Sequence, residues 1–139
     1  MRTREKYEDR FPSDISEYLD LRWDDYKIWK LALLTHTCPV SDFTWHLDLP
    51  IWPSAPPEKI FDLQPATVLA NQQMYLKHIK RIENCNIRYP VETMQIGERL
   101  VILDGTHRLC RHVLEGIETI RYRIIPYSDF HLIQREGSQ

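Results

Sequence analysis

The residues with the clearest chemical potential form one short run, Leu103-Asp104-Gly105-Thr106-His107-Arg108-Leu109. A glycine between an apolar run and a helix-forming stretch lets backbone approach a ligand closely. The free N–H groups that open a helix, with the partial positive charge of its dipole, favour an anion there. His107 and Arg108 add hydrogen-bonding or cationic side chains in that first turn, and the planar fork of Arg108 suits phosphate oxygens. Gly105, Thr106, His107 and Arg108 therefore compose a phosphate-sized anion site. Asp104 ends the apolar run, where a carboxylate either caps the helix or coordinates a cation such as Mg²⁺ beside phosphates. A plainer reading stays open on the same residues: Asp104 caps the helix while His107 and Arg108 face solvent.

The surrounding pattern supplies the elements that must position this turn. Val91 to Ile96, a Gly97-Glu98 turn and Leu100 to Leu103 predict a hairpin, and the run LVIL is apolar enough for a strand covered on both faces. A helix follows from Thr106 to Glu115, ended by Gly116, then a strand from Thr119 to Ile125, ended by Pro126. The order β-β-α-β makes LVIL, the helix and TIRYRII a βαβ unit, whose strands are expected to be parallel with a right-handed crossover. Arg121 and Arg123 alternate with Ile120, Tyr122 and Ile124 as in a strand exposed on one face. Arg111 and His112 fall on the expected solvated side of the helix.

Upstream, Ser13 is a candidate N-cap. Ile15, Tyr18, Leu19, Tyr26, Trp29 and Leu33 recur at near-helical spacing, which predicts a helix broken near Asp24. Thr35 to Val40 reads as a loop, with Ser41-Asp42 capping a turn into Trp45. Pro50, Pro53, Pro56, Pro57 and Pro65 exclude regular helix and central strand from a wrapping connector, and Ile51, Trp52, Ile60 and Phe61 pack that connector on the body. A second helix is expected from Asn71 to Asn84, with Met74, Leu76, Ile79 and Ile82 inward and a basic cluster of Lys77, His78, Lys80 and Arg81 outward. Lys77 and Lys80 are candidate partners for a bound phosphate. His36, His46, His78 and His131 lack ligand spacing and read as core or surface histidines.

A chain of 139 residues with 42% apolar residues and four tryptophans has room for one domain and material for its core. A net charge of −2 gives no overall positive field for nucleic acid or anionic lipid, so neither sequence-specific DNA binding nor a membrane partner is expected. Three cysteines without a CxxC pair indicate neither a disulfide framework nor zinc. The charged start MRTREKYEDRF and the lack of an 18-residue apolar run imply a cytoplasmic protein.

The stretch YPVETMQIGERLVILDGTHRLCRHVLEGIETIRYRIIP, residues 89 to 126, resembles the ParB/sulfiredoxin superfamily. In that superfamily a strand pair leads into a D-G-x-H-R or related turn, then a helix, a Gly and a returning strand. The lead-in IFDLQPATVLANQQMYLKHIKRIE resembles the strand and helix that precede the nucleotide in that fold. The resemblance implies a single α/β domain with a small mixed sheet flanked by helices. Its nucleotide-binding core would span residues 60–139, behind an N-terminal helical extension and proline-rich connector at 1–59. It also implies ATP/ADP or CTP with Mg²⁺ at Gly105, Thr106, His107 and Arg108, and phosphoryl transfer to, or hydrolysis for, a small-molecule substrate. Asp104, His107 and Asp62 are then the candidate catalytic residues, and Asp104 the metal ligand. The sulfiredoxin branch requires a cysteine where this chain has Thr106, so its redox chemistry lacks a nucleophile. The free serine kinase branch uses a glutamate base on the lead-in strand, where this chain has only Asp62. The alternative is a nucleotide-sensing or protein-interaction module that keeps the fold without the chemistry.

Overall fold

The computed structural model describes residues 23–54 and 61–134. The expectations attached to Ser13, Ile15, Tyr18, Leu19, Pro56, Pro57 and Ile60 lie outside them. In chain order the described elements are helix α1 (Asp25–Trp29), strand β1 (His36–Pro39), two short 3-10 turns, strands β2 (Trp52–Pro53) and β3 (Phe61–Leu63), and helices α2 (Pro65–Ala70) and α3 (Leu76–Asn84). The hairpin β4 (Val91–Ile96) and β5 (Arg99–Asp104), helix α4 (Thr106–Glu115), strand β6 (Thr119–Ile125), helix α5 (Phe130–Ile133) and two further 3-10 turns, Gln72–Met74 and Tyr127–Asp129, complete them. The fold is mixed α/β: a four-stranded sheet in the order β1-β6-β4-β5 and a separate two-stranded ribbon, β2-β3. Among the described residues no helix is long and apolar enough to cross a membrane.

The hairpin, α4 with its Gly116 end, and β6 stand where the sequence pattern sets them; Asp24 caps α1 by accepting from Tyr26 N–H, and α1 ends at Trp29, short of Leu33. The strand directions differ from expectation. β4 lies between β5 and β6, and because β5 is antiparallel to β4 while β4 is parallel to β6, β5 and β6 run in opposite directions. The path of α4 explains this. It starts just after Asp104, which pairs with Glu92, and leads into Thr119, just before the Val91–Tyr122 pair, so both its ends lie at one end of the sheet. A ten-residue helix, about 15 Å long, crosses strands spaced about 4.8 Å apart and does not run back along them.

Four further expectations are corrected. Residues 36–39 form an edge strand antiparallel to β6, where Pro39 is tolerated because edge strands spare one row of N–H groups. Pro65 does not exclude helix but starts α2, at the position where its missing N–H costs nothing. The long helix begins only at Leu76, leaving Met74 and Leu76 exposed, while Ile79, Ile82 and also His78 are buried. His112 is likewise buried, its Nδ1 donating to Arg108 O at 2.7 Å, although its place on α4 suggested solvent.

One core cluster joins Val91, Ile102 and Ile120 of the sheet to Leu109 and Phe43. The larger one joins Met94, Val101, Leu103 and Ile125 to Ile28, Phe130 and Ile133, and extends to Trp52, Ile79 and Ile82. Within this apolar setting lies an ion pair. Arg123 is not on a solvated face: its guanidinium holds both oxygens of buried Glu92 and donates to Leu31 O at 2.8 Å and Ile28 O at 3.0 Å. It ties the end of α1 to the two central strands. Removing one partner of a buried pair strands the other charge, so Arg123→Met is expected to lower stability by about 3 to 5 kcal/mol in urea unfolding, and a loss under about 1 kcal/mol would show the pair to be dispensable.

Candidate functional site

Gly105 joins β5 to α4 with φ +118°, in the left-handed region, and no side chain caps the helix that follows. A Cβ on Gly105 would lie 2.8 Å from Val91 Cγ1 and 2.9 Å from Arg108 Nη2, so the guanidinium is folded back onto the bare backbone of the turn. Arg108 reaches Asp104 Oδ2 at 3.3 Å, a long contact. Its Nε is buried with no hydrogen-bond acceptor, the only such side-chain atom among the described residues. A buried donor left unpaired costs about 1 to 3 kcal/mol, so this atom calls for an acceptor.

Three indoles hold the turn in place. Trp23 Nε1 donates to Leu103 O at 3.2 Å, Trp29 Nε1 to Asp104 Oδ2 at 2.8 Å, and Trp52 Nε1 to Thr106 Oγ1 at 2.9 Å. Trp52 is buried, as a connector packed on the body requires, whereas Tyr26 and Trp29, whose helical spacing assigns them to the core, are exposed. The N–H groups of Trp23, Trp29 and Trp52 nonetheless converge on the candidate site. Asp104 therefore does not cap α4. Its carboxylate accepts from an indole and a guanidinium.

His107 lies beside His78 of α3. The rings are nearly coplanar, 13° apart with His78 Nδ1 3.3 Å from His107 Nε2, and the Trp52 indole stacks on both at 9°. His78 Nε2 is 2.6 Å from Pro53 O, which can only accept, so Nε2 carries the proton. Burial foremost, then the charge of Arg81, holds His107 down to about 2, and burial also lowers His78. Both imidazoles are therefore neutral at pH 7, and His107 does not supply the positive charge that its place after Gly105 suggested. His78 was grouped with the outward basic cluster; its pairing was not legible from spacing.

A groove of about 290 Å³ opens beside this pair, lined by Ser54, Gln73, Tyr75, Leu76, Lys77 and His78. Lys77 lines this groove, whereas Lys80, one turn along α3, is exposed and outside its lining. Asp62 of β3 accepts from Ser54 N–H and Ser54 Oγ–H, both at 2.8 Å, and so braces the groove wall. Asp104 could share Mg²⁺ with phosphates as a single carboxylate ligand, since among the described residues no three His, Cys, Asp or Glu side chains converge. A third neutral histidine is structural. His46 donates from Nδ1 to Phe43 O at 2.8 Å and accepts Ile102 N–H at 2.9 Å, satisfying a backbone donor on the sheet's edge strand, and burial pushes it down to about 4.

Two outcomes follow from this geometry. Gly105→Ala should cost about 1 to 3 kcal/mol in thermal or urea unfolding, since Val91 and Arg108 crowd the new methyl and φ is unfavourable, and an unchanged midpoint would mean the turn can relax. Histidines whose folded pKa lies below the unfolded 6.5 gain a proton only on unfolding, so stability is full above 6.5 and falls as the pH drops below it. His46 alone should remove about 2 kcal/mol between pH 7.5 and pH 5, and urea curves that superimpose at the two pH values would contradict the neutral assignments.

Comparison with family models, curated proteins and solved structures yields no match.

Proposed function

We propose that this chain is a ParB/sulfiredoxin-like domain that binds a nucleotide, ATP/ADP or CTP, with its phosphates at the Gly105 turn and its remainder along the groove beside α3. One observation carries the reading: the buried, acceptorless Nε of Arg108 lies over a positive-φ glycine at an uncapped helix N-terminus. A phosphate oxygen there would satisfy Arg108 and the free N–H groups of the first turn together, in the manner of anion sites at helix starts. The hairpin, turn, helix and returning strand occur in the order that the resemblance implies, and Lys77 stands at the groove.

The geometry favours binding over phosphoryl transfer. Asp104 is engaged by Trp29 and Arg108, Asp62 by Ser54, and His107 resists protonation, so each candidate catalytic group is already committed or electrically silent. The protein then acts as a nucleotide-sensing module, and ATP or CTP with Mg²⁺ should remain unhydrolysed. Phosphate release that disappears in Asp104→Asn would restore the enzyme reading.

In a thermal-shift screen of ATP, ADP, CTP and GTP, a bound nucleotide at 100 times its Kd should stabilise the fold by about 2.7 kcal/mol. Arg108→Ala should weaken that binding about 10- to 150-fold by calorimetry, the loss of one charge-assisted contact of about 1.5 to 3 kcal/mol. Equal affinity in the variant removes Arg108 from the site.

A further inference from the structure

The hydrogen bonds around His78 fix more than its own proton. Pro53 O only accepts, so His78 Nε2 donates to it, and a neutral His78 must then accept at Nδ1. Its neighbour at Nδ1 is His107 Nε2, which must therefore donate. In a neutral ring that leaves His107 Nδ1 with a bare lone pair. This nitrogen has no hydrogen-bond partner among the described residues. Trp52 lies flat over both rings and holds them in a common plane, and a half-turn of His78 within it would lose the Pro53 contact and the contact to His107.

A neutral acceptor repels a phosphate oxygen and attracts a donor. The first turn of α4 thus carries two chemistries: N–H groups and Arg108 for an anion, and one lone pair for an O–H. We propose that His107 Nδ1 reads an alcohol hydroxyl on the bound phosphate compound, and that His78 is the positioning residue that keeps this nitrogen an acceptor. The ligand class is accordingly a phosphorylated molecule with a free hydroxyl near the phosphate, of which a ribonucleotide is one. This rests on the nucleotide reading above and narrows it, since a site built around an acceptor rejects the analogue that lacks the donor.

Two measurements test it. Long-range ¹H–¹⁵N spectra of the free protein at pH 7 should show His78 and His107 both as the Nε2–H tautomer. His78→Phe, which keeps a ring beneath Trp52, should leave His107 a mixture of tautomers. A His107 that carries its proton on Nδ1, or on both nitrogens, overturns the proposal whether or not any nucleotide binds. Calorimetry with ATP, 2′,3′-dideoxy-ATP and inorganic tripolyphosphate should show about tenfold or greater preference for ATP over the dideoxy analogue. In His78→Phe that preference should fall below about threefold, with tripolyphosphate affinity unchanged. If tripolyphosphate binds but the two nucleotides bind alike, the hydroxyl assignment fails and the phosphate site stands. If none of the three binds and CTP does not bind either, the nucleotide reading itself fails and takes the ligand class with it.

Discussion

The left-handed backbone at Gly105 is the constraint around which the described structure is arranged. It lets β5 turn into α4 within one residue, which aims α4 across the sheet and brings its C-terminus back to the start of β6. It also leaves the bare surface against which Arg108 folds. Indole N–H groups from the two ends of α1 and from β2 then close on Leu103, Asp104 and Thr106. Each bond is worth only about 1 kcal/mol net, but together they fix the turn from three sides.

Polar groups that the fold takes out of water are handled in two ways. Glu92 and Arg123 stay charged and face one another, with the spare guanidinium donors used on backbone carbonyls at the end of α1. The histidines instead give up their charge: His46, His78 and His107 each use a ring nitrogen as a plain acceptor or donor. Neutralising an imidazole costs little near pH 7, whereas no arginine can deprotonate, so the two solutions follow from the ordinary pKa of each group.

What was legible in the sequence was local. Gly97, Gly105 and Gly116 each mark a positive φ, Pro126 ends β6, and the apolar run before Asp104 is a strand, because these features act through their own residue's backbone. The errors are of longer range. The placement of β4 between β5 and β6 depends on the tilt of a helix, which no spacing encodes. His36–Pro39 shows no alternation because its partner, and not its own pattern, makes it a strand. Of the candidate site, Gly105 and Arg108 could be singled out from the turn itself. The roles of Trp52 and His78 could not, since a tryptophan in a proline-rich connector and a histidine among lysines acquire them only when β2, α3 and α4 meet.

The position of β6 has a consequence for how the chain acquires its shape. This strand is the last of the described strands in sequence yet lies inside the sheet, with β1 on one side and β4 on the other. A nascent chain released up to α4 can form the β4–β5 hairpin locally, but β1 has no partner, Arg123 has not been made, and Glu92 sits without its counter-charge. Pairings this distant in sequence are slow and are not rewarded until both strands exist. Cooperative closure of the core therefore waits until residues near 125 are available to pair with β1 and β4.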